Sequence, residues 1–157
     1  MKITLLAVGP VRTAYIREGI DMYAQRISKL ADFESVAIPD VKSTRSLTEA
    51  RQKASEGESI LAYLKPGDCL ALLDERGMAM TSREFAGFVE KRMVAGIKRL
   101  VFVIGGPYGF SDAVYARADF KVSLSKMTFP HEMARLFFTE QLYRSFAILG
   151  NLPYHHD

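Results

Sequence analysis

The sequence lacks the features that mark disulfide-stabilised, zinc-binding and membrane-spanning proteins. Cys69 is the only cysteine among 157 residues, which excludes an internal disulfide and leaves no cysteine cluster for zinc. No apolar run approaches the roughly 18 residues that a membrane-spanning helix needs. The apolar run at residues 3–8 is too short for a signal peptide and is typical of a buried first strand. These absences predict a protein of the reducing cytoplasm that holds no metal.

A large excess of one charge is also absent. The chain has 21 basic and 18 acidic residues, for a net charge of +3. Nucleic-acid-binding modules usually carry a stronger basic bias, so this charge allows a nucleic-acid partner without requiring one. The hydrophobic share of 48% and the charged share of 25% are ordinary for a globular protein. With no internal repeat or linker, the sequence predicts a single domain over residues 1–157.

Short apolar segments alternate with longer amphipathic segments along the chain. The predicted strands cover residues 3–8, 35–38, 69–73, 100–104 and 121–124. The predicted helices cover residues 14–29, 48–64, 82–96, a short stretch after 111, and 131–149, with a loop at 40–47. Strands that alternate with helices require crossover connections. The sequence therefore predicts an α/β fold, with a mostly parallel sheet and helices on both faces.

The helix that follows the third strand has the clearest start signal. Thr81 and Glu84 have the spacing of a capping box, in which each side chain satisfies a backbone N–H group of the first turn. The apolar residues of this helix are predicted to face the core. They are Phe85, Phe88, Val89 and Met93.

Three segments follow the last three predicted strands, at residues 72–77, 105–111 and 125–131. Ligands of open parallel sheets bind beyond the carboxyl ends of the strands, so these segments should form one site. Gly105 and Gly106 allow a tight turn that can approach a flat ligand, although a plain turn is the alternative. The spacing is not that of a dinucleotide fingerprint, and no Gly-Lys-Ser/Thr of a Walker loop follows. His131 is a candidate base or phosphate ligand, but capping or packing is more common at the start of a helix.

The last helix and the tail supply the remaining candidates. The helix is apolar around most of its circumference, which predicts burial against the sheet and a second subunit, with a wholly interior helix as the alternative. Glu140 and Arg144 are four residues apart and can form an ion pair. Arg135 and Arg144 are candidate phosphate contacts. Tyr154 in the tail has an aromatic ring suited to stacking on an RNA base.

Together these segments resemble the small SPOUT-superfamily enzymes of the RlmH type, which methylate N3 of a pseudouridine in large-subunit ribosomal RNA. The order and spacing of the matching segments are more specific than any one of them. The segments are residues 73–77, 102–106, 123–131, 140–144 and 153–155. The tail then ends in His156-Asp157, where the family pattern continues with Arg and Glu.

The resemblance implies a homodimer with a C-terminal trefoil knot and S-adenosylmethionine as the methyl donor. It implies 23S ribosomal RNA as the substrate, within the assembled ribosome. By position it assigns the cofactor contacts to Leu73, Gly105, Leu124, Ser125, Lys126, Met127, Thr128 and Phe129.

The chemistry implied by the resemblance is attack by a ring nitrogen on a methyl sulfonium. The imide N–H of pseudouridine is weakly acidic, so alignment and modest help from a base suffice. The preferred base is the partner subunit's His155, and Arg135, Arg144 and Tyr154 are the candidate RNA contacts. A non-enzymatic RNA-binding or ribosome-associated protein is the main alternative. A nucleotide-dependent oxidoreductase is disfavoured, since no acidic residue follows the glycine loop at the required distance.

Overall fold

A computed structural model of the chain describes residues 1–41 and 47–156. These residues form the strands β1 (Lys2–Val8), β2 (Asp32–Ile38), β3 (Cys69–Ala79), β4 (Arg99–Ile104) and β5 (Phe120–Ser123). They also form the helices α1 (Ala14–Ile27), α2 (Glu49–Tyr63), α3 (Ser82–Val94), α4 (Asp112–Arg117) and α5 (His131–Leu149). The sheet order is β2-β1-β4-β3-β5 and all of these pairings are parallel. Most of the loop predicted at residues 40–47 lies outside the described residues.

Helices cover both faces of the sheet, as the sequence predicted. On one face α1, α3 and α5 pack against alternate residues of β1, β3 and β4, and on the other face α2 and α4 pack against the intervening residues. Phe102 of β4 lies at the centre of the first face. Its ring centroid is 5.9 Å from that of Phe85 and 4.7 Å from that of Phe138. Because these rings belong to α3, β4 and α5, their burial joins the sheet to two helices and contributes about 1.5–3 kcal/mol for each ring.

The third strand is longer than predicted. The predicted strand ended at residue 73, yet β3 runs on to Ala79 beside β5. The pairing register shifts between Leu73 and Met78. Gly77 permits this, because a Cβ atom on it would lie 2.5 Å from the backbone nitrogen of Val122. The charged residues 74–76 therefore form an irregular stretch within the strand.

The capping box of α3 is confirmed, whereas the prediction that Met93 faces the core is wrong. Glu84 accepts a hydrogen bond from the Thr81 backbone at 2.7 Å, and the Thr81 hydroxyl accepts one from the Glu84 backbone at 3.2 Å. Three of the predicted apolar residues are buried, but Met93 is 45% exposed. The guanidinium of Arg92 occupies that end of the core, since it stacks over the Phe88 ring at 3.6 Å.

The last helix connects the segment that follows β5, at the carboxyl edge of the sheet, to the C-terminal tail. The α5 helix begins at His131 and ends at Leu149, as predicted, and Gly150 follows it. Phe138, Leu142 and Phe146 are buried against the sheet, whereas Phe137 is 37% exposed. No helix within residues 1–41 and 47–156 is long and apolar enough to cross a membrane.

Candidate active site

A cleft of about 630 Å³ lies at the carboxyl ends of β4 and β5, beside residues 73–76 of β3 where its pairing with β4 ends. Its walls come from the three segments predicted to share a site, together with residues of α2, α4 and α5. Parallel strands place these segments side by side, because their carboxyl ends share one edge of the sheet. The volume is within the usual range for small-molecule sites, about 300–1,000 Å³.

Most of the predicted cofactor contacts line this cleft. The seven that do are Leu73, Gly105, Leu124, Ser125, Met127, Thr128 and Phe129. The eighth, Lys126, is exposed and does not line it. The reason is a tight turn around this lysine, closed by a hydrogen bond from the Met127 backbone N–H to the Ser125 hydroxyl at 2.9 Å. Lys126 therefore lies outside the walls that the segment builds.

The glycine loop, residues 105–109, forms the floor of the cleft as a tight turn. Gly109 has a φ of 79°, which favours glycine, and its N–H donates to the Gly106 carbonyl at 3.2 Å. A Cβ atom on Gly105 would lie 3.0–3.2 Å from the ring of Phe110, which also lines the cleft. A larger residue at position 105 would thus disturb the cleft through Phe110.

The charged wall of the cleft is fixed by hydrogen bonds around Asp74. The carboxylate of Asp74 accepts one from the Arg76 backbone at 2.8 Å and another from the Tyr115 hydroxyl. Burial, reinforced by this bond to Asp74, raises the pKa of Tyr115 to about 12, so the hydroxyl stays a donor at neutral pH. Within the described part of the chain, no group of three His, Cys, Asp or Glu side chains is arranged to hold a metal ion.

The first turn of α5 is bound to main chain of the neighbouring elements. His131 forms a hydrogen bond with the Gly105 backbone, and its pKa is lowered by burial and by the charge of Arg135. Arg135 is 5% exposed and donates to the carbonyl oxygens of Gly9 at 2.7 Å and Val8 at 2.5 Å. These bonds attach the guanidinium of Arg135 to the main chain at the end of β1. The phosphate contact by Arg135 stays a prediction.

The tail folds back onto the middle of α5. The Tyr154 hydroxyl donates to Glu140 at 2.9 Å, and its ring centroid is 4.7 Å from that of Tyr143. Arg144 forms the predicted ion pair with Glu140 at 2.5 Å, and its guanidinium is 3.2 Å from Nδ1 of His155. None of the described tail residues lines the cleft. Since Glu140 follows His131 by nine residues, this cluster lies about 14 Å further along the helix axis.

Comparisons with known proteins agree with this architecture. A family model described as "Predicted SPOUT methyltransferase" matches residues 1–155. The chain belongs to the SPOUT methyltransferase family. The match confirms both the family and the α/β fold class predicted from the sequence, and membership implies a C-terminal trefoil knot.

The relatives of this SPOUT methyltransferase match over its whole length. A ribosomal RNA large subunit methyltransferase H from Parabacteroides distasonis is 53% identical over 157 residues, which is 100% of both chains. A protein of the same name from Christiangramia forsetii is 52% identical over 156 residues, or 99% of each chain. The solved structure of a probable methylase family protein from Haemophilus influenzae covers 99% of this chain and 70% of that chain. Its TM-score of 0.51 at 16% sequence identity supports the fold.

Sequence reasoning missed two side chains of this SPOUT methyltransferase that the geometry brings to the cleft. Tyr115 lies on the short helix α4, where a lone tyrosine gives no sign of the bond it makes to Asp74. Lys53 lies on α2, where a lysine on a polar helix resembles any exposed one. Phe110 belongs to the predicted segment 105–111, and the structure shows that its ring lies against Gly105.

Proposed function

We propose that this SPOUT methyltransferase transfers the methyl group of S-adenosylmethionine to N3 of a pseudouridine in 23S ribosomal RNA. The full-length similarity to proteins named ribosomal RNA large subunit methyltransferase H supports ribosomal RNA as the substrate. The observation that carries the proposal is the convergence of three strand-end segments on one cleft of cofactor size. The pseudouridine and its N3 atom come from the resemblance of the motifs.

The residues of the cleft suit S-adenosylmethionine in their chemistry. Leu73, Leu124 and Phe129 offer apolar surface for an adenine ring, and the glycine loop offers main-chain donors and acceptors. The carboxylates of Asp74 and Glu75 suit ribose hydroxyls or an ammonium group. When bound, S-adenosylmethionine supplies an electrophilic methyl group on a sulfonium. The walls of the cleft would hold it in line with the attacking nitrogen and keep water away.

The proton on the attacking nitrogen requires a base or a strong polarising contact. His131 is the imidazole of this chain that lines the cleft, but it is bonded to the Gly105 backbone. His155 of the same chain lies with the Glu140 cluster, away from the cleft. We therefore propose that the partner subunit's His155 serves as the base, and that Tyr154 and Arg144 contact the RNA.

A homodimer follows from this arrangement, because one chain alone does not bring its tail to its cleft. We propose that α5 forms much of the contact, since Phe137 is exposed and its apolar neighbours Met133 and Leu136 are only partly buried. Light scattering at micromolar concentration should give about twice the chain mass of 17.6 kDa. A monomer with full activity would remove the shared site from the proposal.

The first test is binding of S-adenosylmethionine, followed as a saturable rise in melting temperature. Gly105→Val should abolish the rise, because the added side chain meets the Phe110 ring and displaces the loop. Gly87→Ala is the control, since nothing lies within 4 Å of its added methyl group. The second test is mass mapping of 23S ribosomal RNA from a deletion strain, before and after addition of protein and cofactor. An absence of cofactor binding by the wild-type protein would favour a non-enzymatic RNA-binding protein instead.

A further inference from the structure

The glycine loop separates two clefts. A second cleft, of about 470 Å³, lies beside the first and shares Gly106, Pro107 and His131 with it. The loop is therefore a thin partition between the two clefts. Its internal hydrogen bond, from Gly109 to Gly106, closes the turn, and the hydrogen bond between His131 and the Gly105 backbone attaches its first residue to α5. Gly106 itself lies against a side chain of α2.

Glu56 of α2 is packed against Gly106. Glu56 is 4% exposed, and a Cβ atom on Gly106 would lie 2.6 Å from its carboxyl carbon. Gln52 donates to Oε1 of Glu56 at 3.1 Å, while Oε2 is buried and has no hydrogen-bond partner among the described residues. Leaving a buried polar atom unpaired costs about 1–3 kcal/mol. The unpaired oxygen Oε2 is also the side-chain atom nearest to the Cβ position of Gly106.

The next residue of α2 supports the other end of the same loop. A Cβ atom on Gly57 would lie 3.1 Å from Cβ of Ser111, the residue that caps α4. Consecutive residues of α2 thus contact both ends of the segment 106–111. The α2 helix therefore packs against the glycine loop, and Glu56 is the residue of α2 that contacts Gly106.

We propose that Glu56 is a positioning residue, whose buried side chain holds Gly106 and thereby fixes the wall of the cofactor cleft. This inference rests on the proposed function, since it assigns Glu56 to the binding of S-adenosylmethionine. The residue acts through the loop and does not itself line the first cleft.

The pKa of the Glu56 carboxyl group lies above its ordinary value. Burial raises the pKa of Glu56 and the charge of Asp40 raises it further, whereas the bond from Gln52 lowers it. The charged and titratable groups that line the second cleft with it are Arg12, Asp40, His131, Glu132 and Arg135. A glutamine side chain has nearly the same size and shape as a glutamate side chain, so it should replace Glu56 in packing against Gly106.

The first experiment compares three single variants on α2. Glu56→Ala should weaken S-adenosylmethionine binding roughly tenfold or more in calorimetry, with kcat at saturating cofactor within about threefold of wild type. Glu56→Gln should stay within about threefold of the wild-type affinity, and its affinity should vary less with pH, because it lacks the titrating group. Glu58→Ala removes an exposed glutamate of the same helix and should leave the affinity unchanged.

The second experiment uses the close approach of Gly106 and Glu56. Gly106→Ala adds a methyl group against the carboxyl group and should weaken cofactor binding. In the Glu56→Ala background, the loss of S-adenosylmethionine affinity caused by Gly106→Ala should be at least about threefold smaller. The reason is that the alanine side chain leaves room for the added methyl group. Additive effects of the two substitutions would show that Glu56 does not hold Gly106.

Hydrogen exchange without cofactor separates this inference from the proposed function. Glu56→Ala should speed exchange of the backbone amides at 104–110 relative to Glu58→Ala, with the amides of α5 unchanged. If the wild-type protein does not bind S-adenosylmethionine, the proposed function fails, and exchange still decides whether Glu56 holds the loop. If Glu56→Ala fails to fold, Glu56→Gln and Gly106→Ala carry the test. Wild-type affinity and loop exchange in Glu56→Ala would overturn the inference.

Discussion

Two arginines of α5, Arg135 and Arg144, received the same sequence-based role as phosphate contacts, yet they lie in different environments. Arg135 is 5% exposed and donates to main-chain carbonyls at the end of β1. Arg144 has a side chain that is 24% exposed, and its partners are the side chains of Glu140 and His155. Main-chain carbonyls are fixed by the fold, whereas side-chain partners can rotate away. The comparison indicates that Arg135 stabilises the fold and that Arg144 can exchange partners.

The same contrast applies to the regions around the two arginines. The cleft end of α5 is bound through Glu132 to the backbone of Arg12 at 2.5 Å and through Arg135 to β1. The tail cluster depends on contacts between side chains, namely Tyr154 with Glu140 and Arg144 with His155. We infer that folding of one chain fixes the cofactor-binding part of the site. The tail is held by side-chain contacts, which it can exchange for contacts in the partner's cleft.

Deletion of the tail after Leu152 is expected to have the largest effect, and it tests the contrast between the cleft end of α5 and the tail. We expect the rate of 23S ribosomal RNA methylation to fall about a hundredfold or more, the usual size of a lost acid–base contribution. Cofactor affinity should stay within about twofold, because no described tail residue lines the cleft. The unfolding free energy should fall by only about 1–2 kcal/mol, because the lost contacts are partly exposed: the ring contact of Tyr154 with Tyr143, its bonds with Glu140 and Tyr23, and the contact of His155 with Arg144. Single-turnover methylation, calorimetry and urea unfolding measure the three quantities.

A normal rate in the truncated protein would mean that the tail takes no part in the reaction. Global unfolding would instead mean that the tail is a structural strap. Either result would end the assignment of His155 and Tyr154 to the active site.

The next largest effect is expected for Arg135→Ala, on stability. The substitution leaves the carbonyl groups of Val8 and Gly9 without their guanidinium donors and opens a cavity. We expect the unfolding free energy to fall by about 2–3 kcal/mol, since relief of the buried charge offsets part of the loss. Arg17→Ala is the matched control, because exposed Arg17 donates to the Val11 carbonyl at 2.6 Å and should cost less than about 1 kcal/mol. Equal losses in urea unfolding would contradict the distinction drawn from burial.

Arg144→Lys should show the opposite profile, with a small effect on stability and a clear effect on the reaction. Lysine keeps the charge but cannot reproduce both guanidinium bonds to Glu140 together with the contact to His155. Because the pair is partly exposed, the unfolding free energy should change by less than about 1 kcal/mol. The methylation rate should fall roughly tenfold, with cofactor affinity unchanged. A stability loss as large as that of Arg135→Ala would place Arg144 among the structural residues.

The sequence was sufficient to predict the secondary-structure elements and the segments that meet at the cleft. Alternating apolar segments predicted the parallel sheet, and parallel strands necessarily bring residues 73, 105 and 124 to one edge. The burial of Arg135 was also open to prediction. Arg135 is three residues before Phe138 and seven before Leu142, so helical periodicity places all three on the buried face.

Other features depend on contacts that no local pattern encodes. The continuation of β3 past residue 73 requires Gly77 to lie against the backbone of β5, which is distant in sequence. The packing of Glu56 against Gly106 joins residues fifty positions apart, and a glutamate on a polar helix resembles any exposed one. Such contacts follow from the topology, and the topology must be known before they can be seen.

Tyr154→Phe is expected to have the smallest effect and tests how loosely the tail is held. The variant loses the hydrogen bonds of the hydroxyl with Glu140 and Tyr23 but keeps the ring contact with Tyr143, so the unfolding free energy should fall by about 0.5–1.5 kcal/mol at pH 7. Burial, the bond with Tyr23 and the bond to Glu140 raise the pKa of Tyr154 above its ordinary value of 10.0. A pKa raised by folding contributes stability that is present below pH 10 and is lost as the pH rises above it. The difference between wild type and variant in urea unfolding should therefore be constant from pH 7 to about 9 and shrink above pH 10. A difference that grows with pH would mean that the hydroxyl is not the donor to Glu140.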